Sequence, residues 1–199
     1  MNELIAPMLT YAFVMTFTPG PNNVSASALG SKVGYRRSLP YLLGMASGFA
    51  AIMLAAGLLT DFLTRNYGLI APYLKWIGVA YMVYLAASIL LEPLTHKAKE
   101  SKAAREGYFG GLLLQILNIK VILYGITIYT SFAALLTGSG VRTILSAVFL
   151  SGLGFASVST WCVAGAGLSR FLTKKAFRLA FNAGMALLLL YSALSIALH

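Results

Sequence analysis

The chain has 199 residues, of which 59% are hydrophobic and only 10% charged. A soluble domain carries about 25% charged residues, so with a mean hydropathy of +0.81 most of this surface must be solvated by lipid. The net charge of +10 does not make it a nucleic-acid binder, because the basic residues sit in short clusters between apolar runs and no helix has a basic face interleaved with aromatics. One cysteine, Cys162, and two histidines, His96 and His199, exclude an intrachain disulfide, a multi-thiolate centre and a histidine-built zinc site. No metal or cofactor is expected.

A bilayer core needs about 20 apolar residues per helix. Six stretches qualify in chain order: 4–28, 39–60, 70–91, 109–135, 143–168 and 179–198. They predict an all-α integral membrane protein, a single transmembrane domain over 1–199 with one sizeable polar loop, 92–108. The first stretch is not a cleaved signal, since Met1-Asn2-Glu3 supplies no positive start and the apolar run is too long. Pro72 is placed to begin the third span, and Tyr73, Lys75 and Trp76 read as its interfacial anchor. The loops after spans one, three and five hold eleven basic residues: Lys32, Arg36, Arg37, Lys97, Lys99, Lys102, Arg105, Arg170, Lys174, Lys175 and Arg178. The opposite side has three, Arg65, Lys75 and Arg142. The larger set should face the anionic cytoplasmic leaflet, which places both termini outside. Three spans per half allow two inverted halves, a common transporter plan, although no residue-level repeat accompanies it. Lacking a soluble domain, the chain has to work inside the bundle.

Thr18-Pro19-Gly20-Pro21-Asn22-Asn23 interrupts the first span. A proline removes the hydrogen bond to the carbonyl four residues back, so Pro19 should free the carbonyl of Met15, and Pro21 that of Phe17. Gly20 should let the chain turn between them. Bare carbonyls at membrane depth must line protein or a watery cavity, and they could hold an ammonium group. A new half-helix opening at Pro21 would present a partial positive charge to a carboxylate. Together the two features would suit an amino-acid zwitterion. A structural kink without a ligand is the competing account.

In the fourth span, Gln115, Asn118 and Lys120 lie within a long apolar run. A lysine at a helix centre costs roughly 2.5–3.5 kcal/mol on insertion scales. Snorkelling to the headgroups is the bland explanation, but from about 16 Å deep the side chain should stop short. Lys120 and Tyr124 share one helical face; Gln115 and Asn118 lie nearly opposite. Either the helix unwinds near Asn118 or its two faces meet different neighbours. Asn22 and Asn118 should reach a similar depth. Small residues form stripes on span two, Gly44, Gly48, Ala51 and Ala55, and on span five, Gly152, Ala156, Thr160 and Ala164. Such stripes let helices approach closely. Trp161 and Cys162 read as packing residues, and Asn182 either bonds across helices or lines a cavity.

These residues together resemble the lysine-exporter (LysE/RhtB) family of amino-acid efflux proteins over essentially the whole chain. The match is carried by Thr18 to Asn22, Gly44 and Gly48, and the Asn-x-Lys of Asn118 to Lys120. Finer similarity, at Leu43-Gly44-Met45, Leu114-Gln115, Asn118 to Gly125 and Trp161-Cys162, is to the cysteine and O-acetylserine branch. The resemblance implies efflux from the bacterial cytoplasm across the inner membrane, usually by proton antiport. The expected substrate site is Met15, Phe17, Thr18, Pro19, Gly20, Pro21, Asn22, Asn23, Gln115, Asn118, Lys120 and Tyr124. Much of the family has proline where this chain has Ile119, which weakens the case for a break there. Many members have an acidic residue where this chain has Phe49, which argues against cationic substrates. The expected partners are a small amino acid and the lipid bilayer, and a homodimer is compatible with the plan. An enzyme fails on inventory, since the spans hold no histidine and no core carboxylate. An uncoupled channel or exchanger is the alternative, because Lys120 alone could carry a proton: burial disfavours its charge and a substrate carboxylate favours it.

Overall fold

In lipid, every backbone N–H and C=O has to be bonded internally, which a helix does within itself. The computed structural model, which describes residues 2–91, 107–168 and 175–198, follows that rule. The described residues form nine helices and no strand. In order they are α1 (Asn2–Phe17), α2 (Pro21–Val33), α3 (Tyr35–Leu58), α4 (Thr60–Leu91), α5 (Tyr108–Ile116), α6 (Ile119–Ser131), α7 (Ala133–Leu136), α8 (Gly140–Leu168) and α9 (Lys175–Leu198). His96 and the basic residues Lys97, Lys99, Lys102, Arg105, Arg170 and Lys174 lie outside the described residues. By length and composition α3 and α8 can each cross a membrane, and the bent pair α5–α6 makes a third if it is one span.

The outer surface is apolar. Leu69, Tyr73, Tyr84, Phe109 and Leu187 are between 65% and 77% exposed, an arrangement that water would penalise at about 25 cal/mol per Å² and lipid would not. Hydroxyls on the helices turn back on their own backbone, as at Ser38 to the Gly34 carbonyl, Thr130 to Ile126 and Thr160 to Ala156. This bonding consumes polarity that lipid could not satisfy.

Two very close helix approaches hold the interior together. Where α2 crosses α8, a Cβ added at Gly30 would overlap the Cys162 carbonyl, and one at Gly165 would overlap that of Ser27. Where α3 crosses α5, Gly44 meets the Tyr108 carbonyl and Gly111 meets that of Tyr41. Only the absence of side chains lets the backbones come this near. Around these crossings α4 packs on α9, α8 also packs on α3, and α6 packs against α3 and α4.

Three expectations need correction here. The small stripe on the fifth span is misassigned: Gly152 and Ala156 are exposed, and a Cβ at Gly152 meets nothing within 4 Å. The face of α8 that packs carries Gly154, Ser157, Val158, Cys162 and Gly165 instead. On α3, Ala51 and Ala55 likewise face outward. Finally, Pro72 does not start a helix. It lies inside α4, which runs unbroken from Thr60, because backbone bonding continues through Asp61, Arg65 and Asn66 although the apolar run stops there.

Candidate functional site

The first span breaks where its prolines require it. α1 ends at Phe17 and α2 begins at Pro21, with Pro19 and Gly20 in extended chain between. Gly20 has φ −167° and ψ −179°, which any residue adopts, so the expectation that it serves a turn is wrong. Its missing side chain makes room: a Cβ there would stand 3.0 Å from Cδ and 3.1 Å from Nζ of Lys120.

Of the two carbonyls expected to be bare, that of Phe17 is bonded, and so are those of Thr16, Thr18 and Pro19 beside it. That of Thr16 accepts from Asn23 Nδ2 and from Ser157 Oγ, each at 3.0 Å. That of Phe17 accepts from Trp161 Nε1 at 3.3 Å. The Thr18 carbonyl takes Asn23 Nδ2 at 3.1 Å and Lys120 Nζ at 2.9 Å. The Pro19 carbonyl takes Ser192 Oγ and, at 3.3 Å, Lys120 Nζ. Donors from α2, α6, α8 and α9 thus serve the carbonyls along the break, and the Trp161 donor replaces the helical bond that Pro21 forbids. Trp161, expected only to pack, is one of them.

The fourth span breaks without a proline. α5 stops at Ile116, α6 starts at Ile119, and the two are bent by 59°. Asn118 is the cap: with φ −79° and ψ 97° it leaves the helical region, and its Oδ1 accepts from the Lys120 backbone N–H at 3.1 Å. A side-chain oxygen that bonds the first free N–H groups stabilises a helix start by about 1 kcal/mol, which offsets part of the lost turn. Asparagine therefore does here what the absent proline was expected to do. The bend also resolves the opposed helical faces, since Gln115, Asn118, Lys120 and Tyr124 come to one place.

That place is a cavity with about 510 Å³ of empty volume, its open mouth included. Of the expected site residues, Met15, Thr18, Gly20, Pro21, Asn22, Asn23, Gln115, Asn118, Lys120 and Tyr124 line it. Phe17 and Pro19 do not, although their carbonyls belong to the break. Asn182 is also not among the lining residues. Missing from the sequence reading were Thr16, Met45, Ala46, Val121, Gly154 and Val158. Thr16 was open to discovery as a polar residue one turn before the break; the others are apolar residues in apolar helices and carry no signal. Phe49 also lines the cavity, with its ring 5.7 Å from that of Tyr124.

Two asparagines join the breaks. Asn118 Nδ2 donates to Asn22 Oδ1 at 2.7 Å, and Asn22 Nδ2 donates to Gln115 Oε1. Lys120 is buried and does not reach for the headgroups, since its Nζ is held by the carbonyls of Thr18 and Pro19. It is the one charged side chain among the lining residues. Three of the lining residues carry a buried polar atom without a hydrogen-bond partner: Thr16 Oγ1, Gln115 Nε2 and Tyr124 OH. Thr16 and Tyr124 are near enough to interact, yet neither hydroxyl meets hydrogen-bond geometry. The Tyr124 ring is stacked on Tyr11 at 5.9 Å and flanked by Phe49, so its hydroxyl has a fixed position. Buried polar groups are ordinarily paired, and here three that are not belong to residues lining one space.

A cavity between two broken helices, inside a bundle whose outer surface is apolar, is an arrangement that suits a membrane transporter. The chain belongs to the LysE type translocator family, whose model matches residues 13–199. It is similar to the cysteine/O-acetylserine efflux protein of Klebsiella pneumoniae, 35% identical over 197 residues and covering 98% of both chains. The protein of that name from Salmonella typhimurium is 32% identical over 196 residues, 97% of each chain, and that from Escherichia coli O139:H28 is 31% identical over 193 residues, 97% of each. No solved structure matches the chain significantly.

Proposed function

We propose that this protein exports small neutral amino acids or their derivatives, cysteine and O-acetylserine among them, across the bacterial cytoplasmic membrane in exchange for protons. In this reading residues 1–199 form one domain of six spans: α1 with α2, α3, α4, α5 with α6, α8 and α9. Both termini lie outside, and the two three-helix halves are inverted. The observation that carries the reading is the cavity at the junction of the two breaks, with a buried ammonium on one wall and unpaired polar atoms on the others.

The chemistry suits a zwitterion. α2 and α6 both begin at this cavity, so two positive helix ends converge on it. Lys120, in the first turn of α6, adds a third positive element, and the lining contains no carboxylate to balance it. An empty site is therefore short of an anion, which a substrate carboxylate supplies. In the empty state Lys120 Nζ rests on the carbonyls of Thr18 and Pro19. A substrate ammonium competes for the same carbonyls, and Lys120 turns to the incoming carboxylate. For a proton to enter as substrate leaves, Lys120 takes up a proton from outside once the substrate has gone, carries it inward on the Thr18 and Pro19 carbonyls, and gives it up to the cytoplasm as the ammonium of the next substrate displaces it. Phe49 closes the side of the cavity where a cationic side chain would need a counter-charge.

Selectivity follows. Cells loaded with a mixture of amino acids should lose cysteine and O-acetylserine through this protein at least about tenfold faster than lysine or arginine, because a cationic side chain in this cavity lies unpaired beside Lys120. Efflux assays on loaded cells, compared with cells lacking the protein, measure this. Faster efflux of lysine than of cysteine would defeat the proposal.

A further inference from the structure

The chain of side-chain amides between the two breaks has a direction. The backbone N–H of Lys120 can only donate, so the Asn118 atom 3.1 Å away has to be its oxygen. Its nitrogen then faces Asn22, whose oxygen receives it at 2.7 Å. The Asn22 nitrogen is thereby turned to Gln115, whose oxygen must accept it. What remains at the end of the chain is Gln115 Nε2, with two N–H groups and no partner. Gln115 is 1% exposed and lines the cavity. Its stem is pinned as well: a Cβ at Gly48 would come within 2.9 Å of its Cβ and 3.0 Å of its Cγ. The helix cap of α6 thus dictates, through three amides, that a residue lining the cavity holds a pure donor without a protein partner at a fixed place.

We propose that Gln115 Nε2 is the group that binds the substrate's α-carboxylate, and that Asn118 and Asn22 position it by fixing which end of its amide faces inward. This rests on the amino-acid reading above and assigns the carboxylate a second donor besides Lys120. The hydroxyls of Thr16 and Tyr124, which either donate or accept, are left for the polar side chain of the substrate.

One atom tests it. Gln115→Glu keeps an oxygen to accept from Asn22, preserves the shape, and replaces only the orphaned nitrogen by an oxygen that cannot donate when ionised. Binding of L-cysteine and of L-cysteinamide, which presents amide N–H groups in place of the carboxylate, is measured at pH 8 under reducing conditions on purified full-length protein. Wild type should prefer cysteine. In the variant, cysteine should bind roughly tenfold to hundredfold more weakly, the range for losing a hydrogen bond to a charged group, and cysteinamide should bind at least as well as before. Unchanged cysteine binding in the variant overturns the proposal, and so does an equal loss of both ligands. If wild type binds neither cysteine nor serine, the amino-acid reading itself fails, and the carboxylate assignment with it.

Discussion

Replacement of Lys120 by methionine is expected to lower export by about a hundredfold, because it removes the charge-assisted bonds of the ammonium, each of which stabilises by roughly 1.5–3 kcal/mol. Those bonds run to the carbonyls of Thr18 and Pro19, and in the proposed loaded state the side chain bonds the substrate carboxylate instead. Methionine has a similar length, so the protein should still insert, and its amount in the membrane is the control. Lys120→Arg separates binding from coupling, since arginine keeps its charge at every accessible pH. The arginine variant should exchange internal for external substrate in vesicles while failing to drive uphill export from a pH gradient. Uphill, pH-driven export by a correctly inserted arginine variant would remove Lys120 from the coupling step and leave it a binding residue.

Alanine at both Pro19 and Pro21 should have an effect nearly as large. A proline in a helix interior disfavours the helix by about 3 kcal/mol relative to alanine, and the double change removes that penalty twice. The restored N–H groups can then bond the carbonyls of Met15 and Phe17, drawing Phe17 away from Trp161. As α1 closes onto α2, the Thr18 and Pro19 carbonyls turn from Lys120 into the helix ladder. Export should fall at least about tenfold while the folded protein gains stability, a pairing that simple misfolding does not produce. Vesicle transport together with thermal unfolding in detergent reads both quantities, and normal transport by the double variant would show that the break is dispensable.

The contrast between the two breaks shows what the sequence disclosed. Pro19 and Pro21 act through a covalent property, the missing N–H, that is visible without any structure. The break at Asn118 depends on a side chain choosing to cap rather than to extend a helix, and asparagine permits both; with Ile119 in place of a proline nothing local decides. The helical, apolar character of the chain was legible because lipid imposes a simple length rule, but the same rule misplaced the start of α4, where the helix continues through polar residues. Lys120 announced itself by the cost of its burial. Its partners did not, because carbonyls are present at every position and only the fold shows which are exposed. The stripe on α8 was misread for a related reason: Gly152 and Ala156 are small, as are Gly154 and Gly165, and size alone does not tell which side of a helix meets a neighbour.

The proposed function requires that the substrate occupy the cavity between the two breaks. Ala46 on α3 lines that cavity without taking part in its hydrogen bonding, and the single cysteine, Cys162, is buried. In a Cys162→Ser background, Ala46→Cys therefore places one reactive thiol at the wall. The rate at which a small maleimide labels it, measured in membranes against rising O-acetyl-L-serine, tests the claim directly. Progressive protection by O-acetylserine is expected, with a midpoint near the concentration that half-saturates export, and little protection by lysine at the same concentrations. Labelling that is unaffected by O-acetylserine in a variant that still exports it would place the substrate elsewhere.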